Sequence, residues 1–306
     1  MEILFEILPT QLRTLFAAVP VENLNEIRLR SGGPVIVSIS GKNFYLTPTG
    51  LSEQHNTAVH VSHSDLETIL HKASNYSIYA VNEQLKQSFL TIRGGIRIGI
   101  AGEVVTEKGE VLTLKNIQAL NIRVPHEIRG CSYCVLDYIF VNPRPLKTLI
   151  ISPPGGGKTT FLRDLARQIS DKYYLLNTLV LDERGEIAAT YLGQSQLDVG
   201  GQTDVLSGSS KLYGFENGIR SMRPDVIITD EVATRSDIEM IKQAARSGVS
   251  IIASVHASGI EEIRTKPNFR EVIEEGIFDR YIVLGTGENL GKVQGVWDKA
   301  LRLIAG

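Results

Sequence analysis

The spacing of hydrophobic and polar positions changes along the chain, and the change separates two regions. In the first, residues 26–30 (EIRLR) alternate between apolar and charged positions, which predicts a half-buried strand. Two apolar runs, 35–39 and 43–47, flank a Ser-Gly-Lys segment and predict a β-hairpin. These short elements predict a smaller N-terminal α+β domain at residues 1–140.

Helical spacing interrupts the strands of this first region. Residues 62–73 carry apolar side chains at helical intervals, and Ser62 or Ser64 is the expected N-cap. Residues 77–88 predict a second helix, and residues 89–106 predict two β-branched strands joined by a double-glycine turn.

From residue 141 onward, short apolar runs without alternation are separated by glycine turns and helical segments. The expected strands are 147–152, 178–183, 225–231, 249–255 and 280–285. Continuous apolar runs are typical of strands buried on both faces, so they predict a parallel sheet covered by helices. The sequence therefore predicts an α/β domain at residues 141–306.

Three local signals complete this second region. Residues 141–147, which contain two prolines, are the expected linker between the domains. The pair Ser236 and Glu239 predicts a capping box for the helix after 225–231, and Gly248 predicts its end. The Gly/Ser-rich residues 192–210 predict a long loop.

Composition narrows the class of protein. The chain has 306 residues, of which 42% are hydrophobic and 22% charged, and its net charge is −2. This balance shows no overall excess of Lys and Arg of the kind that binds nucleic acid. No apolar run reaches the roughly 18 residues of a membrane span, and the start of the chain lacks the features of a signal peptide. We therefore expect a cytoplasmic protein that does not insert into a membrane and that reaches one only through a protein partner.

The chain has two cysteines, Cys131 and Cys134, which form a single CxxC. One CxxC supplies only half of a four-ligand zinc site, and His126 is the one nearby histidine. The sequence favours structural or incidental thiols, with redox or metal chemistry as the alternative.

The segment 151–160 (ISPPGGGKTT) predicts a phosphate-binding loop between a strand and a helix. Glycines let consecutive N–H groups turn inward, and the helix that follows offers free N–H groups and the positive end of its dipole. The spacing fits the Walker A pattern GxxxxGK[ST], except that its first position holds Ser152. The expected nucleotide-binding residues are Pro153, Pro154, Gly155, Gly156, Gly157, Lys158, Thr159 and Thr160. A glycine-rich turn without chemistry is the alternative.

Two acidic residues end the apolar run 225–231, at the strand end where ligands bind in open α/β sheets. Asp230 is the expected Mg²⁺ ligand through water, together with the Thr159 hydroxyl, and Glu231 is the expected general base toward water. Acids at strand ends also cap helices, which is the structural alternative.

Two further strand ends carry polar groups. The strand 249–255, if it lies between the Walker A strand and the Walker B strand 225–231, would direct Ser254 and His256 toward the γ-phosphate. His256 is the expected sensor of that phosphate. At the end of 178–183, either Glu183 helps to place the water or Arg184 makes a structural ion pair; the sequence does not choose between these.

The order of these motifs resembles that of the secretion-type ATPases, which drive type II and type IV secretion and pilus machines. "LDERGEI" lies where their acidic box lies, "RSMRPDVIITDE" is similar to their arginine-containing Walker B run, and "ASVHA" is similar to their histidine box. A closer resemblance, over about residues 25–290, is to the stage III sporulation AA family, through segments such as "EIRLR", "LNIR", "ISPPG-GKTT" and "DER-EIAA". The chain departs from the secretion ATPases in having Asp230 where they often have glycine, and in lacking their four-cysteine zinc module.

The resemblance implies a RecA-like P-loop ATPase core that uses ATP and Mg²⁺. It also implies a homo-oligomer, expected to be a hexameric ring, that docks on the membrane channel between mother cell and forespore. In secretion ATPases, arginines from N-terminal strands reach the nucleotide site, and Arg93 and Arg97 resemble them. Arg223 is a further candidate among the second-region arginines, which also include Arg184 and Arg220. Solvent-exposed arginines on a β-ribbon are the alternative for the N-terminal pair.

A RecA-like core also serves nucleic-acid-dependent ATPases, which is the alternative function. The slightly acidic charge and the absence of interleaved basic and aromatic residues argue against nucleic acid as a partner. A nucleotide-dependent assembly factor with little turnover and a small-molecule kinase are less favoured, because Glu231 indicates hydrolysis and no arginine-rich lid follows the motifs.

Overall fold

The computed structural model describes residues 2–16, 19–77, 81–141, 144–172 and 176–306. Contacts within the chain group it into two compact units. The first is Met1–His126 with Tyr191–Gln196, and the second is Glu127–Thr190 with Leu197–Gly306.

The first unit is an α+β structure. Its described helices are α1 (Glu2–Ile7), α2 (Thr10–Leu15), α3 (His63–Ala73) and α4 (Asn82–Lys86). Its described strands are β1 (Leu24–Arg30), β2 (Ile36–Ile39), β3 (Lys42–Thr47), β4 (Gly50–Ser52), β5 (Phe89–Thr91), β6 (Arg97–Glu107) and β7 (Glu110–Arg123).

The seven strands form one antiparallel sheet in the order β4-β3-β2-β1-β7-β6-β5. Ile27 and Leu29 of β1 are fully buried while Arg28 and Arg30 are exposed, so the alternation predicted for this strand is confirmed. The predicted hairpin is β2 and β3.

The helices of this unit follow the predicted signals in part. α3 begins after Ser62, whose side chain accepts from the Asp65 N–H while the Asp65 carboxylate accepts from the Ser62 N–H. The second predicted helix, 77–88, is present only as α4, and its residues 78–80 lie outside the described residues.

The second unit is an α/β structure. Its described helices are α5 (Leu136–Ile139), α6 (Lys158–Lys172), α7 (Lys211–Met222), α8 (Arg235–Arg246), α9 (Ile260–Thr265) and α10 (Pro267–Glu274). Its described strands are β8 (Thr148–Ser152), β9 (Thr178–Asp182), β10 (Thr203–Ser207), β11 (Val226–Thr229), β12 (Ser250–His256), β13 (Arg280–Leu284), β14 (Val293–Asp298) and β15 (Leu303–Ala305).

These strands form one sheet in the order β10-β9-β11-β12-β8-β13-β14-β15. The six strands from β10 to β13 in this order are parallel, and β14 and β15 are antiparallel at one edge. The strands β8, β9 and β11 are buried at every position, which confirms the predicted parallel sheet. Every parallel strand ends at the same edge, so the predicted polar strand ends come together there.

Two predictions for this unit are wrong. The residues predicted as one loop, 192–210, contain β10, because the half-exposed edge strand TDVLS is polar enough to be mistaken for loop. The capping box of α8 is Thr234 with Asp237, not Ser236 with Glu239, because Thr234 is the last extended residue before the helix. The predicted end is confirmed: Gly248, at φ 80°, follows the helix C-cap.

The division between the units differs from the predicted ranges 1–140 and 141–306 in the placing of Tyr191–Gln196 and of residues 127–140. The short helix α5 lies in this segment, and its Leu136 and Ile139 pack in the same buried cluster as Phe161 of α6. The hydrophobic side chains of this segment thus belong to the core of the second unit. Among the described residues, no helix is long and apolar enough to cross a membrane.

Candidate nucleotide site

The loop between β8 and α6 is shaped for glycine. Gly155 and Gly157 have φ of +73° and +86°, in the left-handed region that side chains rarely adopt. A Cβ added at Gly156 would lie 1.7 Å from the Ser152 hydroxyl oxygen. The Ser152 side chain therefore fills the space beside Gly156, and an alanine at this position would have to displace it.

Lys158, the first residue of α6, is folded back into this loop. Its ammonium donates to the carbonyl oxygens of Ser152 (2.6 Å) and Pro153 (2.7 Å). Burial lowers the pKa of Lys158 to about 8, and the negative charge of Glu231 opposes that shift. A desolvated ammonium held only by carbonyl oxygens would gain strongly from a phosphate, so the loop fits the predicted ligand.

Thr159 and Thr160 are half-buried in the first turn of α6, next to Lys158. This helix has 15 residues, so its N-terminus presents a full set of free N–H groups toward the loop. The predicted roles of these residues toward nucleotide and Mg²⁺ stay predictions.

The sheet places the predicted sensor strand where the sequence analysis expected it. β12 lies between β11 and β8, and His256 pairs with Ser152 at the start of the phosphate loop. Ser254, also on β12, accepts a 3.1 Å hydrogen bond from the Glu231 N–H. The P-loop, sensor and acidic strands are thus neighbours, and their carboxyl ends meet.

Asp230 lies just beyond the end of β11, with only 5% of its surface exposed. Burial, and after it the neighbouring Asp182 charge, raise its pKa to about 6. A nearby cation would stabilise the ionised form of this buried carboxyl group. The described residues contain no cluster of three or more side chains able to ligate a metal. One carboxylate with one hydroxyl is nevertheless the donor set that suits Mg²⁺, which keeps several waters and shares the substrate phosphates.

Glu231 is the central residue of the acidic strand end. Its backbone is left-handed at φ 40°, an uncommon conformation for a glutamate that re-aims the side chain. Its carboxylate lies 2.7 Å from Arg184 Nη1 and 3.6 Å from His256 Nε2, and 25% of the side chain is exposed. Three predicted residues from three strand ends therefore converge.

Next to this carboxylate lies a cavity of about 350 Å³. Glu231 and His256 line it together with Val255 and with Lys266 and Phe269 from the α9–α10 region. The predicted base thus faces a space with room for water.

The loop after β9 is fixed by two residues that the sequence analysis did not single out. The buried Asp182 carboxylate accepts hydrogen bonds from three consecutive N–H groups, those of Glu186 (2.8 Å), Ile187 (3.1 Å) and Ala188 (2.9 Å). Arg163 of α6 donates to the carbonyl oxygens of the first two of these residues. The loop is therefore tied both to its own strand and to the helix that begins the phosphate site.

Both residues named in the two alternatives at this loop make ion pairs. Arg184 pairs with Glu231. Glu183 is paired with Lys211 Nζ at 2.7 Å, so its carboxylate is held toward α7. A role of Glu183 in placing water stays a prediction, and it would require this pair to open.

His256 is the second side chain beside Glu231. Burial lowers its pKa, and the positive charge of Lys158 lowers it further, so the neutral ring is favoured at neutral pH. Its Nδ1 is buried and has no hydrogen-bond partner among the described residues. Its backbone carbonyl accepts from the Lys266 ammonium at the start of α10. The orphaned nitrogen is consistent with the predicted sensor, whose partner would be a ligand or water.

Of the predicted arginines in this unit, Arg223 lies away from this cluster. Arg223 is the left-handed C-cap of α7, at φ 48°, and precedes β11, so it lies at the opposite end of that strand from Asp230. Arg93 and Arg97 belong to the first unit. Arg93 lies on a 3₁₀ turn rather than on a strand, and Arg97 begins β6 with its guanidinium 4.0 Å from the centre of the Phe89 ring. The predicted reorienting turn is confirmed by Gly94, at φ +78°.

Both cysteines are free thiols. Burial raises the pKa of Cys131 to about 12, and the Asp164 carboxylate adds to the increase, so this thiol is not activated. Burial also raises the pKa of Cys134. Both shifts agree with the favoured interpretation of structural or incidental thiols.

Comparison with known proteins begins with sequence. A family model described as "Sporulation stage III, protein AA" matches residues 1–303. The chain is 38% identical to stage III sporulation protein AA of Bacillus subtilis over 300 residues, covering 96% of this chain and 94% of the relative.

Two solved structures share the fold. The Legionella pneumophila ATPase DotB has a TM-score of 0.57 and 16% identity, covering 95% of this chain and 82% of its own. The pilus retraction motor PilT with bound ADP has a TM-score of 0.60 and 16% identity, covering 90% of this chain and 77% of its own. The fold is therefore that of a P-loop ATPase with a RecA-like core, as the sequence analysis predicted.

Proposed function

Because the chain belongs to the sporulation stage III protein AA family, we propose that it is a Mg²⁺-dependent ATPase that acts as a motor during sporulation. One observation carries the proposal. At one edge of the sheet, where β8, β12, β11 and β9 end, lie a glycine loop with the buried Lys158, the buried Asp230 and the half-buried Glu231.

Each residue has a chemical task in this proposal. The loop N–H groups and Lys158 hold the phosphates. Thr159 and Asp230 would hold Mg²⁺, which neutralises phosphate charge when bound. Glu231 accepts a proton from the water in the adjoining cavity as the water oxygen bonds to the γ-phosphorus. The bond from that phosphorus to the oxygen shared with the β-phosphate breaks, which yields ADP and inorganic phosphate.

His256 stays neutral in this scheme, and its pKa is low enough for that at cytoplasmic pH. A neutral ring beside Glu231 leaves the carboxylate free to take the proton of the water. The His256 backbone carbonyl accepts a hydrogen bond from Lys266, which directly precedes α10. This contact supports the proposal that His256 links the phosphate edge to that helix.

The setting is proposed from the family and from the motif resemblance. We propose a homo-oligomeric ring, expected to be a hexamer, that energises the secretion-like channel between mother cell and forespore. It would work in the cytoplasm and be peripheral at the membrane through a channel component. The proposed trans-acting arginines are Arg93 and Arg97, with Arg223 as a further candidate.

The test measures nucleotide binding and phosphate release for two variants. Lys158→Ala removes the cation of the phosphate site and should weaken ATP binding. Glu231→Gln keeps the shape and the binding but loses the base, so turnover should fall by roughly 10²–10⁴. Lys299→Ala and Glu216→Gln, both at exposed positions, are matched controls that should behave like the parent protein.

Near-normal turnover of Glu231→Gln, or loss of its ATP binding, would contradict the assigned roles. Stimulation of phosphate release by single-stranded DNA, with a steep dependence on salt, would favour the nucleic-acid-dependent alternative.

A further inference from the structure

The ion pair between Arg184 and Glu231 raises a chemical problem for the proposed function. A carboxylate that must accept a proton from water is held 2.7 Å from a guanidinium, which occupies one of its oxygens. A permanent pair of this kind would keep that oxygen from the water. The side chain of Arg184 is 56% exposed, so solvent reaches it in this position.

The backbone that carries Arg184 is, in contrast, firmly held. Asp182, the residue at the end of β9, binds the N–H groups that follow Arg184 in the same loop. Glu183 is anchored to Lys211, and Gly185 takes the left-handed turn at φ +65°. A fixed backbone with a long, exposed side chain can change partner by rotation of that side chain alone, without moving the loop.

The surroundings favour an exchange of partner when phosphate enters. The guanidinium charge is near enough to influence the pKa of both Asp230 and His256 as well as to pair with Glu231. Arginine binds phosphate oxygens through two parallel hydrogen bonds, and its pairs with phosphate are among the strong charge-assisted contacts. A γ-phosphate next to Glu231 would therefore compete for the same guanidinium.

We propose that Arg184 is a catalytic arginine supplied by the same chain: it holds the Glu231 carboxylate while no γ-phosphate is bound, and transfers to the γ-phosphate when ATP enters. The transfer frees the base and places a positive charge on the transferring group in one movement. An arginine on the transferring phosphate contributes roughly 10³–10⁵ in rate in enzymes that use one. This inference rests on the proposed ATPase function, and it assigns a role that Arg93, Arg97 and Arg223 do not fill within this unit.

The test separates binding of the third phosphate from turnover. The affinities of the full-length protein for ADP and for the non-hydrolysable analogue AMP-PNP are measured with Mg²⁺ for the parent, Arg184→Gln and Arg184→Lys. Arg184→Gln should bind AMP-PNP about tenfold more weakly while ADP affinity changes less than about twofold, because only the γ-phosphate contact is lost. The AMP-PNP affinity of Arg184→Lys should lie between those of the parent and Arg184→Gln, since a lysine keeps the charge without the paired hydrogen bonds.

Arg246→Gln is the matched control, an exposed arginine at the end of α8 whose removal should leave both affinities and turnover unchanged. Arg184→Gln should also lose at least about 10³ in kcat. A purely restraining arginine would give the opposite result, because freeing Glu231 would leave turnover unchanged or raise it; that result overturns the inference.

The inference and the proposed function fail in different ways. If the parent protein prefers AMP-PNP to ADP but releases no phosphate, the proposed hydrolysis fails while the affinity ratio still tests Arg184. If Arg184→Gln keeps the AMP-PNP preference of the parent protein, the role of Arg184 fails even when hydrolysis is present. A parent protein without any preference for AMP-PNP over ADP contradicts the inference as well.

Discussion

Replacing Asp230 by asparagine should stabilise the nucleotide-free protein while removing its Mg²⁺-dependent activity. The carboxyl is 5% exposed, and burial raises its pKa from 3.8 to about 6. Each pKa unit is worth 1.36 kcal/mol, so the ionised carboxylate costs the folded state about 3 kcal/mol at pH 7.5. Asparagine has nearly the same shape and no charge, and it should recover most of that free energy.

The sign and the pH window follow from proton binding. Because the folded state has the higher pKa, it binds more protons than the unfolded state between about pH 4 and pH 6, so stability falls as the pH rises through this range. The advantage of Asp230→Asn should therefore be about 3 kcal/mol at pH 7.5, about 1.5 kcal/mol at pH 5, and nearly absent below about pH 3.

The assay is urea unfolding in EDTA, followed by the fluorescence of Trp297. This is the one tryptophan of the chain, and it lies on β14, so its signal reports the second unit alone. The exposed Asp204→Asn on β10 is the control and should change stability by less than about 0.5 kcal/mol. Equal stability of Asp230→Asn and the parent at pH 7.5, or an advantage that does not shrink with falling pH, would refute the reasoning.

Three further predictions concern the loop, the ring and the membrane. Gly156→Ala should abolish nucleotide binding because its Cβ would lie 1.7 Å from the Ser152 hydroxyl oxygen, and adding Ser152→Gly should restore part of the affinity; equal binding by the single variant and the parent would contradict the close contact between Gly156 and Ser152. Mixing inactive Arg97→Ala with inactive Glu231→Gln should restore some phosphate release if Arg97 acts in trans, and no recovery despite proven subunit exchange would confine the arginine to its own chain. The purified protein should stay in the supernatant with anionic liposomes at low salt, and salt-sensitive pelleting would show that it binds the membrane without a partner.

Much of the fold could be predicted from local pattern. The five predicted strands of the second unit are all present, because strands buried on both faces are continuously apolar and the turns between them are rich in glycine. β10 was not predicted because this edge strand, with two of its five positions exposed and none fully buried, lacks that pattern. The cap of α8 was misplaced because Thr234 and Ser236 both suit an N-cap, and only the backbone conformation decides between them.

The site was predictable where its functional residues are adjacent in the sequence. The phosphate loop and the acidic pair Asp230–Glu231 are local motifs. The strand order brings both to one edge of the sheet. The role of Asp182 was not predictable, since it depends on three backbone N–H groups folding around one carboxylate. The Arg184–Glu231 pair joins residues that follow different strands, and the sequence offered an ion pair of Arg184 only as one of two alternatives for this loop, without naming its partner.

The most direct test of the central claim is the identity of the nucleotide that remains bound after incubation with Mg²⁺ and ATP. The parent protein and Glu231→Gln are each incubated, separated rapidly from free nucleotide, denatured and analysed for ATP and ADP. If Glu231 is the general base of an ATPase, the parent should retain ADP and Glu231→Gln should retain ATP. ADP in both proteins in equal amounts would show that hydrolysis proceeds without this carboxylate, and unhydrolysed ATP in both would contradict the assignment of the chain as an ATPase.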